Sequence, residues 1–440
     1  MADGNAAGCC RSRDIHHIDG LDPSTSPGSS HFGLGAAELE PVPSDARSCP
    51  ANAASRYDRS PPTPLGEPMS LTDAQRRELR LQCELTLPGF AVGTAADDFR
   101  ALASWCETNG VEHDEYGVGA LVQGFEAKVA ALLGKEAAVF MPSGIMAQLA
   151  AIRVWTESAR LPRFGIHPTA HVANHEEEAH VALLQTHAVP VGHRLRPMLA
   201  ADLEAVRQDL ACLIVELPIR ESGGQLPSWD ELEALKSLAR QRSVPLHMDG
   251  ARLWESAAFY GHTYAEIATG FESVYVSVYK GIGGSAGALL AGTAEFVAKA
   301  RLWRRRLGGT LHHLSPLVAS AAMRFDERLA LMPALYRRAL DLADGLKRVQ
   351  GLRVNPRVPH TNLMHLYFDA PPDDLADARD EIAQTEGCWL VGSACKSDVP
   401  DWSMVELYVG DRLLRLDNQR VVPLFARLCA LMTSRPSVAN

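Results

Sequence analysis

His247-Met248-Asp249-Gly250-Ala251-Arg252 and Ser277-Val278-Tyr279-Lys280-Gly281 each close an apolar run. Residues 244–248 lead to the aspartate, and Val274, Val276 and Val278 alternate up to the lysine. Both runs read as buried strands. An acid and a lysine therefore stand at the carboxyl ends of neighbouring strands, the edge of an open α/β sheet where ligands bind. That pair suits pyridoxal 5'-phosphate (PLP), which needs a lysine for its Schiff base and an anion beside its pyridinium nitrogen.

Outward from these segments the chain alternates strands with helices. Residues 137–140 read as a strand followed by a helix from Gly144. Residues 212–215 read as another, followed after Gly223-Gly224 by a helix over 230–242. Such spacing marks βαβ units and a mainly parallel sheet. Residues 286–291 follow Lys280 too closely for an intervening helix, so they are expected to run antiparallel. A long helix over 316–349 leads into a smaller region with strands at 362–368, 389–391 and 405–409. The expected organisation is an N-terminal extension (1–68) rich in Ala, Ser, Gly and Pro and expected to be disordered, a large cofactor-binding domain (69–315) and a small C-terminal α/β domain (316–440).

Of 440 residues, 46% are hydrophobic and 22% charged, and the formal net charge is -10. This balance gives no reason to invoke nucleic acid or an anionic membrane. No apolar run spans a bilayer and no signal-peptide core opens the chain. Nine cysteines without a C-x-x-C pair suggest neither a disulfide framework nor a zinc site. The expectation is a soluble, cytoplasmic protein.

A single lysine is ordinarily a solvated surface residue. Lys280 is singled out by its strand and by Gly281-Ile282-Gly283-Gly284, which lets a bulky ligand approach the backbone. Asp249 would keep the ring nitrogen protonated. Pro142-Ser143-Gly144, between a strand and a helix, offers amide N–H groups and a hydroxyl to a phosphate.

Together with Asp114-Glu115-Tyr116-Gly117, Gly134-Lys135-Glu136-Ala137-Ala138 and Asp249-Gly250-Ala251-Arg252, these segments resemble the threonine aldolase / β-eliminating lyase family. The resemblance implies a PLP enzyme of the aspartate-aminotransferase fold (fold type I), working as a homodimer or homotetramer with active sites at the subunit interface. It implies Lys280 as Schiff-base lysine, Asp249 as pyridinium partner and Ser143-Gly144 as phosphate loop. His171 would stack on the ring, Arg252 would lie near the substrate carboxylate, and Tyr116 would reach the active site. The implied reaction is retro-aldol cleavage of an L-β-hydroxy-α-amino acid to glycine and an aldehyde, with His171 or a water it orients as base. β-Elimination or transamination, and a PLP-binding protein without turnover, are the alternatives.

Three positions depart from the family pattern. Ile145 stands where a threonine commonly follows the phosphate-loop glycine. Ile219 stands where an active-site histidine is usual, and Glu406 where the family has its main carboxylate-binding arginine. A glutamate there would repel a substrate carboxylate, unless it binds a cationic group or pairs with a nearby arginine. Arg220, just past a strand end, is the candidate second carboxylate donor, with a plain surface arginine as the other reading. His175-Glu176-Glu177-Glu178-Ala179-His180 has one residue too many for the H-E-x-x-H zinc motif. His312-His313 lies near the expected site. The basic run at 301–306 reads as a solvated helix face, with one member able to neutralise a phosphate.

Overall fold

The computed structural model describes residues 71–90 and 93–433, so the expectation of a disordered 1–68 lies outside the described residues. In chain order the strands are β1 (Leu85–Thr86), β2 (Ala137–Met141), β3 (Arg163–Ile166), β4 (His187–Pro190), β5 (Leu213–Glu216), β6 (Leu246–Gly250), β7 (Ser273–Ser277) and β8 (Ala288–Gly292). After the long helix Ser315–Leu346 come β9 (Leu352–Asn355), β10 (Leu363–Phe368), β11 (Cys388–Trp389), β12 (Cys395–Lys396) and β13 (Ser403–Tyr408).

The large lobe is a seven-stranded sheet in the order β2-β8-β7-β6-β5-β3-β4. Six strands are parallel, and β8 runs against both of its neighbours. β5 to β8 are buried along their whole length because helices cover both faces, which is why they read as near-continuous apolar runs. β3 and β4 carry no such run. β4, with the sequence His-Ala-Val-Pro, is a half-exposed edge strand whose proline needs no ladder partner on its open side. The small lobe is a four-stranded antiparallel sheet, β12-β13-β10-β9, with its own core around Leu366, Phe368, Leu407 and Phe425.

β1 pairs with β11 across some three hundred residues, and Leu87 sits in the small-lobe core. We therefore propose to count the segment before Gly89 with the small lobe, not with the large lobe where the sequence boundary put it. The basic run also departs from expectation. Arg304 is buried and donates to the carbonyl of Phe140 at 2.9 Å, while Arg301 pairs with the buried Glu126. The helix presents two arginines inward, each matched by an acceptor there.

Candidate active site

Beyond the carboxyl ends of β5, β6 and β7 lies a cavity of about 490 Å³. Its floor follows from strand register. Glu216 pairs with Asp249 and Asp249 with Tyr275, so the three side chains project from one face of adjacent parallel strands. Three residues past β7, the Lys280 amide donates to Ser277 Oγ at 3.3 Å, which turns the chain over the cavity. Lys280, Asp249 and Glu216 all line it.

Burial sets the electrostatics here. It raises the Asp249 carboxyl above its ordinary range, opposed by the Lys280 ammonium. Burial likewise lowers Lys280, opposed by Asp249. Glu216 is pushed up to about 8, by burial first and then by the charge of Asp249. One Glu216 oxygen accepts from the Arg220 amide at 3.1 Å, whereas Oε2 is buried without a partner. A single ammonium thus faces two carboxyl groups, and one of them keeps a proton.

One wall is the start of the helix Gly144–Ala159. Ser143 caps it by accepting from the Met146 amide at 3.2 Å, leaving the amides of Gly144 and Ile145 with no carbonyl one turn back. A Cβ at Gly144 would strike the Tyr275 hydroxyl, so only glycine fits. Ile145, where a threonine hydroxyl is missing, faces the same cavity. His171 lines the opposite side, its Nδ1 2.9 Å from Oε1 of the buried Glu176.

The rim joins the two lobes. Arg220 and Glu221 lie on a 3-10 turn after β5. The turn ends at Gly223 and Gly224, both at positive φ, where side chains would collide with small-lobe residues at Asn355 and Leu363. Arg220 Nε reaches Glu406 Oε2 on β13 at 2.7 Å, and Arg252 Nη2 lies 3.7 Å from Glu406 Oε1. Arg252 also lies over the Tyr408 ring at 5.2 Å. Arg220 and Arg252 line the cavity; Glu406 stands behind them. Glu406 therefore pairs with arginines and does not confront the ligand, the pairing alternative of the sequence reading.

Tyr116 does not line its own chain's cavity. It is 54% exposed, stacks on His312 at 5.1 Å and lines a separate depression with Arg301, Arg304 and Arg305. Its backbone is at positive φ in the turn that Asp114 closes by accepting from the Gly117 amide at 2.7 Å. No arginine of the basic run lines the cavity either. Ile219 lies in the core between the cavity-lining Pro218 and Arg220. Glu216 and Tyr279 also line the cavity, as do His175 and Glu176, which the sequence marks only as part of an apparent zinc motif. Glu216 was findable by the strand-end rule that found Asp249; the others depend on tertiary contacts.

The donor set fits PLP. Lys280 would carry it, Asp249 would face the ring nitrogen, and Ser143 with the Gly144 and Ile145 amides would take the phosphate.

Residues 101–371 match the family model described as beta-eliminating lyase. A solved structure from Listeria monocytogenes, assigned as an L-allo-threonine aldolase, is 34% identical with a TM-score of 0.76, covering 81% of this chain and 98% of that one. Another, from Exiguobacterium and assigned as an aromatic amino acid beta-eliminating lyase/threonine aldolase, is 36% identical with a TM-score of 0.75, covering 81% and 99%. The low-specificity L-threonine aldolase 1 of Arabidopsis thaliana is 27% identical over 268 residues, 58% of this chain and 74% of that protein.

Proposed function

Because the chain belongs to the beta-eliminating lyase family, we propose that this cavity cleaves the Cα–Cβ bond of threonine-like L-β-hydroxy-α-amino acids to glycine and an aldehyde. The protein is a PLP-dependent carbon–carbon lyase of fold type I. The observation that carries the site assignment is the meeting of Lys280, Asp249 and Ser143-Gly144 in one cavity at the sheet's carboxyl edge.

When bound, PLP supplies a carbonyl for the substrate nitrogen and an electron sink for the bond broken at Cα. Asp249 holds a proton at the ring nitrogen; its burial makes the carboxylate a strong partner for a cation. Arg220 and Arg252 bind and orient the substrate carboxylate, with Glu406 fixing both forks from behind. His171, fixed by Glu176, covers the ring. Lys280, which lines the same cavity, would be placed to move a proton at Cα of the bound amino acid.

Supporting a homodimer or homotetramer is the position of Tyr116, exposed and outside its own chain's cavity, so that a second copy would supply it. Sedimentation should then give at least a dimer, and a monomer with full activity would contradict this. No helix among the described residues is long and apolar enough to cross a membrane; we place the protein in the cytoplasm. The reaction is tested by product analysis with PLP and L-threonine or L-allo-threonine. Equimolar glycine and acetaldehyde are expected, whereas 2-oxobutanoate and ammonia would establish β-elimination instead.

A further inference from the structure

Breaking Cα–Cβ requires the β-hydroxyl to lose its proton as the aldehyde forms, and Ile219 offers no base. The imidazoles lining the cavity are those of His171 and His175, with ring centroids 5.3 Å apart. His171 is committed through Nδ1 to Glu176, and its ring face serves the cofactor in the function proposed above. His175 is differently placed. Its Nε2 lies 3.0 Å from Glu221 Oε1, and Arg220 Nη1 holds the same carboxylate oxygen at 3.0 Å. Glu221 itself lines the cavity. A carboxylate that accepts from one imidazole nitrogen fixes the tautomer and leaves the other nitrogen as proton acceptor.

The surrounding contacts favour this role over a structural one. His175 follows directly on the short helix His171–Asn174, and its amide donates to the His171 carbonyl at 2.8 Å, so the two rings share one turn at the rim. His180, the other end of the apparent zinc motif, is buried edge-on against Phe164 at 5.3 Å and does not line the cavity. The motif thus divides into one packing histidine and one that faces the ligand. Arg220 connects the two tasks of the rim, binding substrate carboxylate and anchoring Glu221.

We propose that His175, oriented by Glu221, is the general base that takes the β-hydroxyl proton. The inference rests on the retro-aldol function. The O–H bond breaks and its proton passes to His175 Nδ1. The freed oxygen pair forms the second bond of the aldehyde carbonyl, and the Cα–Cβ pair remains with Cα. Cα then gains a proton to give glycine, and the imidazolium returns its own to solvent, restoring the enzyme. Glu221 is a positioning residue.

The test uses PLP-loaded full chain and two readouts: cleavage of L-threonine and L-allo-threonine, and exchange of the glycine α-hydrogen for deuterium followed by NMR. Exchange needs Cα chemistry but no β-hydroxyl base. His175→Ala should lower kcat for cleavage by about 10²–10³-fold while glycine exchange and the visible absorbance of the bound cofactor persist. Added imidazole should restore part of the loss. Glu221→Gln should lower kcat by roughly tenfold with KM little changed, through misorientation of the ring. His175→Asn serves the same purpose should the alanine variant not fold. Wild-type kcat in either His175 variant, or equal loss of exchange and cleavage, would overturn the assignment. A wild-type protein that exchanges glycine but releases no aldehyde would overturn the retro-aldol function, and the base assignment with it.

Discussion

At the floor of the cavity, Glu216, Asp249 and Lys280 hang from the ends of adjacent parallel strands, and backbone register brings them together. At the rim, Arg220, Glu221, His175 and Glu406 come from a turn, a helix end and a small-lobe strand, and they hold one another by ion pairs. Floor charges are buried, so each strongly perturbs its neighbours. Rim charges keep solvent contact, and their pairwise energies are individually small. The difference teaches how the two are held: a floor whose members depend on one another for the cofactor's chemistry, and a rim of separate ion pairs, from which His175 serves the β-hydroxyl, that can be retuned residue by residue.

Variants can break this division. Lys280→Ala should show the largest effect, abolishing turnover by at least about 10⁴-fold in a cleavage assay; residual activity within tenfold of wild type would remove the floor from the mechanism. Asp249→Ala should follow, with kcat lowered on the order of 10²–10³-fold, and a pure KM effect would contradict its role at the ring.

Glu216→Gln sharpens the comparison through stability. Burial raises Glu216 to about 8, so the native state holds its proton more tightly than the unfolded chain. Its contribution is fully present below the ordinary glutamate range and is lost as pH rises through about 8. Denaturant unfolding of cofactor-free protein should therefore show stability falling with pH across that window, by on the order of a few kcal/mol. Glu216→Gln should flatten that part of the slope, and an identical slope in both proteins would place the titration elsewhere. The smallest effect is expected at the rim: Glu406→Gln should raise KM about fivefold with kcat nearly unchanged, equivalent to roughly 1 kcal/mol. A large fall in kcat for Glu406→Gln would contradict its role as a support behind the two arginines.

The same division explains what was legible in the sequence. Asp249, Lys280 and Ser143-Gly144 are local: an apolar run, its end and the turn after it specify each one. The antiparallel β8 was legible because the connection from Lys280 is too short for a crossover. β3 and β4 were not, since Arg163–Ile166 and His187–Pro190 are short and mixed in composition and gain strand form from their neighbours. The β1–β11 pair has no local signal at all. At the rim, the sequence named Arg220 and Glu406 separately, while their 2.7 Å contact arises only when the small-lobe sheet meets the Gly223-Gly224 turn. Where Tyr116 acts has no local signal either: its turn is tied to Asp114 and His312, in a depression apart from its own chain's cavity, so a role at a site would need a second copy.

The central claim is that the floor holds the cofactor through Lys280. Borohydride reduction of PLP-loaded protein, followed by peptide mass mapping, tests it most directly. One pyridoxyl-phosphate adduct per chain on the peptide containing Lys280, absent in Lys280→Ala, is the predicted result. An adduct on a different lysine, or none, would contradict the account.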